Sequence, residues 1–182
     1  MTKSEKLTDL PNSGEYEEII FDLPDVWRQE SWNFVKFTKT DGTNWCGEFR
    51  EFCDHNFLIA DLPNIGITCV VSGGHGYIID VERKEKIKDL EIEPIIDIYA
   101  DRETNTFYIS NYWNIKIFSS DLIEIDLPIP IQCDGILFKG KKGCKLMLEI
   151  EELGSSELEF EVTKNIEYYI DLNDRKIKKN AV

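Results

Sequence analysis

The sequence of 182 residues predicts an all-β fold, namely a single domain of antiparallel hairpins with very little helix. Between residues 65 and 127, runs of about five to seven residues rich in Ile, Val, Tyr and Phe are separated by Gly, Asn, Asp and charged clusters. Tight-turn signals such as Asp41-Gly42 separate other apolar runs. This combination is typical of short antiparallel strands joined by tight turns.

A hairpin pattern recurs along the chain. Residues 77–81, followed by a charged turn and a short second arm, correspond to residues 114–118, which lie 37 residues later. A third copy begins at residues 168–172. Strand-like runs precede the first two copies, so the sequence predicts a repeat of three or four strands at about 65–90, 94–127 and 144–178.

This repeat resembles the blade of a β-propeller, in which each sheet has about 40 residues and four strands. The marks of the WD type are absent, since Gly74-His75 is followed at once by a strand and no Asp follows Trp113. A closed propeller needs at least about four blades. We therefore expect an open or half-closed sheet arrangement, with an ordinary meander of hairpins as the alternative.

Outside the repeat, each element is predicted from local signals. Residues 1–15 show no periodicity, and we expect them to be mobile or to lie along the surface, with the domain spanning residues 16–182. The first strand is predicted at 16–23, where Pro24 ends it. Further strands are predicted at the ranges 31–38, 44–52, 56–61 and 131–138.

The last predicted hairpin pairs residues 144–152 with residues 157–163. Along these segments glutamates alternate with apolar residues, so one face of the hairpin would carry five carboxylates. The five are Glu149, Glu151, Glu157, Glu159 and Glu161. Because like charges opposite each other destabilise a sheet, this pattern indicates a functional use.

Charge restricts the classes of function. Thirty-five acidic and 21 basic side chains give a formal net charge of −14, which argues against binding nucleic acid or anionic membranes. No apolar run approaches the roughly 18 residues that span a bilayer, and the first residues lack a signal-peptide pattern. We therefore expect a cytoplasmic protein whose five cysteines are reduced thiols.

Candidates for chemistry are few. Cys46, Cys53 and His55 are possible zinc ligands, although their spacing matches no established zinc motif, so no metal or other cofactor is predicted. The glycine-rich segment 72–76 lacks both the hydrolase elbow and the phosphate-binding motif, and it is interpreted as a hairpin turn. No catalytic centre is predicted.

A small, acidic, all-β chain of this kind is similar to the immunity proteins that bacteria pair with polymorphic or contact-dependent toxins. That resemblance implies a non-enzymatic protein that occludes a basic, nuclease-type toxin. We expect the five glutamates to steer the basic partner, and Tyr112 and Trp113 to anchor it. The alternatives for these residues are a merely solvated glutamate face and core packing of Trp113 at a strand start. The alternatives are a β-repeat interaction scaffold or sensor and a metal-assisted enzyme.

Overall fold

The computed structural model describes residues 1–23, 31–53, 56–121, 123–153 and 164–180, and in these ranges it contains strands and no helix. The all-β prediction is confirmed. The described strands form four sheets of four strands each. In chain order they are β1 (Lys3–Leu7), β2 (Glu17–Phe21), β3 (Trp32–Thr38), β4 (Asn44–Arg50), β5 (Leu58–Leu62), β6 (Ile67–Ser72), β7 (His75–Asp80), β8 (Glu85–Asp89), β9 (Asp97–Asp101), β10 (Thr106–Ser110), β11 (Ile115–Phe118), β12 (Glu124–Leu127), β13 (Cys133–Lys142), β14 (Lys145–Glu152), β15 (Lys164–Asp171) and β16 (Lys176–Lys179).

The second, third and fourth sheets follow the chain order. They contain β5 to β8, β9 to β12 and β13 to β16, and all neighbouring strands in them are antiparallel. The predicted repeat units at 77–81, 114–118 and 168–172 overlap the third strand of each sheet. The repeat therefore corresponds to a four-stranded, blade-like sheet.

The first sheet is built differently. Its order is β1-β3-β4-β2, and β2 pairs with β4 in parallel. Ser4 of β1 hydrogen-bonds Asp61 near the end of β5, whereas Lys6 reaches the carbonyl of Phe57 just before β5 begins. We call β1, β5, β9 and β13, the strands through which neighbouring sheets contact each other, the inner strands. The inner strands β1 and β5 thus run in opposite directions. The first sheet is therefore built unlike the others and does not show the repeat.

The N-terminal segment contains a strand that the sequence did not predict. Lys3–Leu7 forms β1 and pairs with β3. Its sequence has no apolar periodicity because the side chains that face the second sheet, Ser4 and Lys6, make polar contacts there. Ser4 donates its backbone N–H to Asp61 Oδ2 at 3.2 Å.

Three hydrophobic clusters hold the four sheets together. The first joins the first and second sheets and contains Phe37, Trp45 and Tyr77. The second joins the second and third sheets, and the third joins the third and fourth sheets. The inner strands lie in the same order as the sheets, since β1 lies beside β5, β5 beside β9 and β9 beside β13. Between the described strands β13 and β1 there is no contact of comparable extent. Within the described residues the sheets therefore form an open arc.

Ion pairs reinforce the junction between the third and fourth sheets. Lys141 of β13 donates to both carboxylate oxygens of Asp101 in β9 at 3.1 and 3.0 Å, and to Glu103 at 2.7 Å. Asp101 is only 3% exposed. At the start of β9, Asp97 accepts a hydrogen bond from the backbone N–H of Phe138 in β13 at 2.7 Å. Burial raises the pKa of Asp97, although the backbone N–H groups that donate hydrogen bonds to its carboxylate oppose this rise.

Replacing Lys141 with methionine should lower the free energy of unfolding by about 3 kcal/mol, because it leaves the buried Asp101 carboxylate without its cation. The matched control is Lys3→Met, which removes an exposed lysine from its pair with Glu5 and should cost about 1 kcal/mol or less. Urea unfolding of both variants measures the difference. Equal losses would show that the Lys141 pair does not hold the third and fourth sheets together.

Candidate partner-binding site

Trp113 lies in the turn between β10 and β11, at the upper end of the arc, where β5, β9 and β13 begin. The turn is held by Asn111, whose Oδ1 accepts the backbone N–H of Trp113 at 2.9 Å and that of Asn114 at 2.7 Å. The amide of Asn111 is also fixed, since its Nδ2 donates to the carbonyl of Glu93 at 3.4 Å. A buried side chain thus fixes the conformation of an exposed turn.

The indole of Trp113 is 54% exposed. Trp45, in contrast, is fully buried and donates its Nε1–H to the carbonyl of Val81 at 3.0 Å. Trp32 is half-buried, and the guanidinium of Arg50 lies 4.2 Å from its ring centroid. Of the three tryptophans that the structure describes, Trp113 therefore presents its ring to solvent most fully.

Trp113 borders an open cleft of about 390 Å³ between the third and fourth sheets. The other lining residues are Ile131, Gln132, Cys133 and Leu153. The backbone of Leu153 is held by an N–H bond to Gln132 at 3.0 Å, and the ring of Tyr112 lies 5.6 Å from that of Trp113. We call this surface the Trp113 cleft. Its apolar lining can take a side chain from another protein.

An acidic residue follows one of the lining residues of the Trp113 cleft. Cys133 pairs with Glu152 and Ile136 with Ile150, so β13 has two residues where β14 has one. Asp134 is one of the two; it is exposed and comes directly after Cys133, which lines the cleft. The other is Gly135, where an added Cβ atom would lie 3.3 Å from Glu151 Oε2.

The predicted glutamate face is only partly reproduced. Both edges of β14 are occupied, by β13 and by β15, so the predicted pairing of residues 144–152 with 157–163 is wrong. Glu149 and Glu151 do lie on the side of β14 opposite the apolar Leu148 and Ile150. Glu157, Glu159 and Glu161 lie outside the described residues.

Glu149 does not share a surface with Trp113. Its carboxylate is 3.2 Å from Nζ of Lys139, and it lines a separate cavity on the outer face of the fourth sheet with Lys142 and Met147. The Trp113 cleft faces the third sheet instead. Glu151 lies on the same side of β14 as Glu149, away from the third sheet.

Of the two histidines, His75 is the one that the structure describes. A catalytic histidine would be expected to lie beside a carboxylate. The Nε2 atom of His75 is 3.0 Å from Asp89 Oδ1, and its Nδ1 contacts Glu93. The residue is buried, and both ring nitrogens are bonded to carboxylates of the protein. Burial raises the pKa of Asp89, but hydrogen bonds from Lys86 and His75 lower it by more. Neither nitrogen of His75 is left to bind a substrate, so we interpret the residue as a cross-link.

The two cysteines considered as metal ligands, Cys46 and Cys53, lie in different surroundings. Cys46 is fully buried in β4, while Cys53 follows β4 and donates its thiol to the carbonyl of Gly73 at 2.8 Å. His55 lies outside the described residues. Among the residues that the structure describes, no group of three or more His, Cys, Asp and Glu side chains is arranged to hold a metal ion.

No protein-family model matches this sequence, and no curated protein matches it significantly. In the described part of the chain, no helix has the length and apolar character needed to cross a membrane.

The environments of the thiols predict an order of reactivity. Burial raises the pKa of Cys69 to about 12 and that of Cys46 to about 11, and it also raises the pKa of Cys133. Cys144 is exposed. In the folded protein at about pH 8, iodoacetamide should label Cys144 first and leave these three thiols unmodified until urea is added, because the thiolate is the reacting form. Peptide mapping by mass spectrometry measures the order, and early labelling of Cys69 would contradict it.

Replacing Asn111 with alanine should release the Trp113 turn. The variant loses three partly buried hydrogen bonds and should be destabilised by about 1–2 kcal/mol. Hydrogen exchange at the amides of Trp113 and Asn114 should become faster. Asn44→Ala, which removes an exposed amide that accepts from Thr38 at 2.8 Å, is the control and should leave exchange at the turn unchanged. Unchanged exchange in Asn111→Ala would show that Asn111 does not position Trp113.

Proposed function

We propose that this chain is a non-enzymatic binding protein, and specifically an immunity protein that neutralises a basic, nuclease-type toxin. The observation that carries the proposal is the exposed indole of Trp113 over a largely apolar cleft, in a protein of net charge −14. Aromatic side chains in such settings contribute most of the binding energy in many protein interfaces.

The chemistry of the Trp113 cleft suits a basic partner. A cationic side chain can stack on the face of Trp113, and the exposed carboxylate of Asp134, which follows the lining residue Cys133, attracts a cationic partner. The net charge of −14 adds a long-range attraction that increases the rate of association with a cationic protein. The cleft thus supplies the anchor, and the total charge supplies the steering.

The resemblance to immunity proteins in overall character supports the same function. A small acidic protein that covers the basic cleft of a nuclease prevents the nucleic acid from entering. Such occlusion requires a rigid surface, and the exposed turn that carries Trp113 is held by hydrogen bonds to the buried side chain of Asn111. A rigid anchor loses little conformational entropy on binding.

The test uses the tagged protein as bait in a lysate of its own host, at low and at moderate salt, with Trp113→Ala in parallel. We expect a basic protein that is retained by the wild type, is lost as salt increases, and is retained at least tenfold less by Trp113→Ala. The control is Ile20→Ala, which truncates an apolar side chain that is 62% exposed on the first sheet. This control should capture the partner normally.

Neutralisation is then measured directly. The captured protein is purified, its cleavage of DNA and RNA is assayed, and the wild type should inhibit it at equimolar amounts. A folded Trp113→Ala variant that inhibits as well as the wild type would overturn the assignment of the Trp113 cleft. A partner without toxic activity would overturn the immunity function while leaving a binding function in place.

A further inference from the structure

A connecting segment crosses the upper end of the second sheet between β8 and β9, and we call its residues 90–96 the crossover segment. The backbone N–H of Leu90 donates to the carbonyl of Gly76 at 2.8 Å. The backbone N–H of Ile95 donates to the carbonyl of Gly74 at the same distance. The side chains of Leu90 and Ile95 are buried in the cluster that joins the second and third sheets. The crossover segment is therefore a fixed bridge between these two sheets.

Glu93, in the middle of the crossover segment, makes contacts in two directions. Its carboxylate contacts Nδ1 of His75 in the second sheet. Its backbone carbonyl accepts a hydrogen bond from Nδ2 of Asn111, which follows β10 in the third sheet, at 3.4 Å. Oδ1 of Asn111 accepts the backbone N–H groups of Trp113 and Asn114. His75 is thereby joined to the Trp113 turn through two residues.

A second hydrogen bond joins the crossover segment to the same place. The backbone N–H of Ile96 donates to the carbonyl of Ser110 at 2.9 Å, and Ser110 directly precedes Asn111 in the chain. The backbone that leads into the Trp113 turn and the side chain that holds the turn are thus both bonded to the crossover segment.

His75 can anchor Glu93 because its own ring is fixed. The ring is buried, its centroid lies 4.7 Å from that of Tyr77, and its Nε2 is 3.0 Å from Asp89 Oδ1. Asp89 is fixed in turn, since Lys86 donates to both of its carboxylate oxygens at 2.9 and 2.8 Å. Both ring nitrogens of His75 face carboxylates, and an imidazolium satisfies both because each of its nitrogens carries a donor. Such charge-assisted hydrogen bonds are stronger than neutral ones.

We propose that Glu93 and His75 are positioning residues for the Trp113 cleft. His75 fixes the side chain of Glu93, and the carbonyl of Glu93 fixes the amide of Asn111. Asn111 then fixes the turn that carries the indole. Glu93 and His75 lie outside the described lining of the cleft, so they affect a bound partner through the position of Trp113. The inference rests on the proposed function in one respect, because it treats Trp113 as the anchor for a partner.

Hydrogen exchange at the amides of Trp113 and Asn114 tests the positioning without any partner. Glu93→Ala keeps the backbone carbonyl but removes the contact with His75, and exchange at both amides should become faster by about threefold or more. His75→Phe keeps a buried ring without the donor and should have the same effect. Glu93→Gln can still accept a hydrogen bond from His75, so it should restore the slow exchange of the wild type.

Two further variants separate positioning from a general loss of stability. The double variant Glu93→Ala with His75→Phe should exchange no faster at the turn than either single variant, because both changes remove the same contact. The matched control is Thr68→Val, which removes a hydrogen bond of 2.7 Å to Asp61 at the lower end of the same sheet. This control should leave exchange at the Trp113 turn unchanged. Circular dichroism confirms that all variants are folded.

Binding is then measured with the purified basic protein that the wild type retains. Glu93→Ala should weaken its binding by about threefold to tenfold, and Glu93→Gln should bind as the wild type does. Unchanged exchange in both Glu93→Ala and His75→Phe would overturn the positioning role, whatever the partner is. Faster exchange with unchanged affinity would overturn the effect of this positioning on binding. Failure to retain any partner would count against the proposed function, while the exchange data would still decide the positioning of Trp113.

Discussion

The structure depends on strands that carry apolar side chains on both faces. In β6, Cys69 and Val71 pack toward the third sheet while Val70 packs toward the first. In β10, Phe107 packs toward the second sheet and Tyr108 toward the fourth. Such strands cannot be stable in a sheet with one face in water, so the second and third sheets need a neighbour on each side. This requirement fixes the order of the four sheets.

The terminal sheets meet a different requirement, because each has only one neighbour among the described sheets. Their outward faces are composed of charged and amphipathic residues instead of a continuous apolar surface. On the first sheet, burial and the nearby Glu18 carboxylate raise the pKa of Glu48. On the fourth sheet, Nζ of Lys145 lies 4.1 Å from the ring centroid of Tyr169 in a cation–π contact. Other charges on this face are paired, since Lys139 lies 3.2 Å from Glu149.

Much of this fold could be predicted from the sequence, because hairpins leave local signals. Gly42, with φ of 85°, forms the predicted turn between β3 and β4, and the repeat at 77–81 and 114–118 marks equivalent strands. What was not predicted depends on distant partners. Lys3–Leu7 becomes a strand through β3 and Asp61, and Glu17–Phe21 pairs in parallel with a strand that follows it by more than twenty residues. No local pattern reports such pairings.

The candidate site depends on local and on distant features. Tyr112 and Trp113 were expected to be exposed aromatic anchors, and the structure places both in the turn between β10 and β11, with Trp113 exposed and Tyr112 half-buried. Their separation from Glu149 could not be predicted, because it depends on which strands flank β14. The bulge at Asp134 was not predicted either, because a bulge depends on how two strands pair and neither strand's sequence shows this alone.

The turns between β6 and β7 and between β10 and β11 occupy equivalent places in two sheets, so comparing them shows which features of the turn the fold requires. The turn between β6 and β7 consists of Gly73 and Gly74, and an added Cβ on Gly73 would lie 2.4 Å from the carbonyl oxygen of Cys53. That turn contains no side chain of its own. The turn between β10 and β11 occupies the same place in the next sheet, yet it carries Tyr112 and Trp113 on a framework held by Asn111. The equivalent turn shows that the fold requires only a tight connection here, which supports the proposal that the exposed indole of Trp113 contacts another protein.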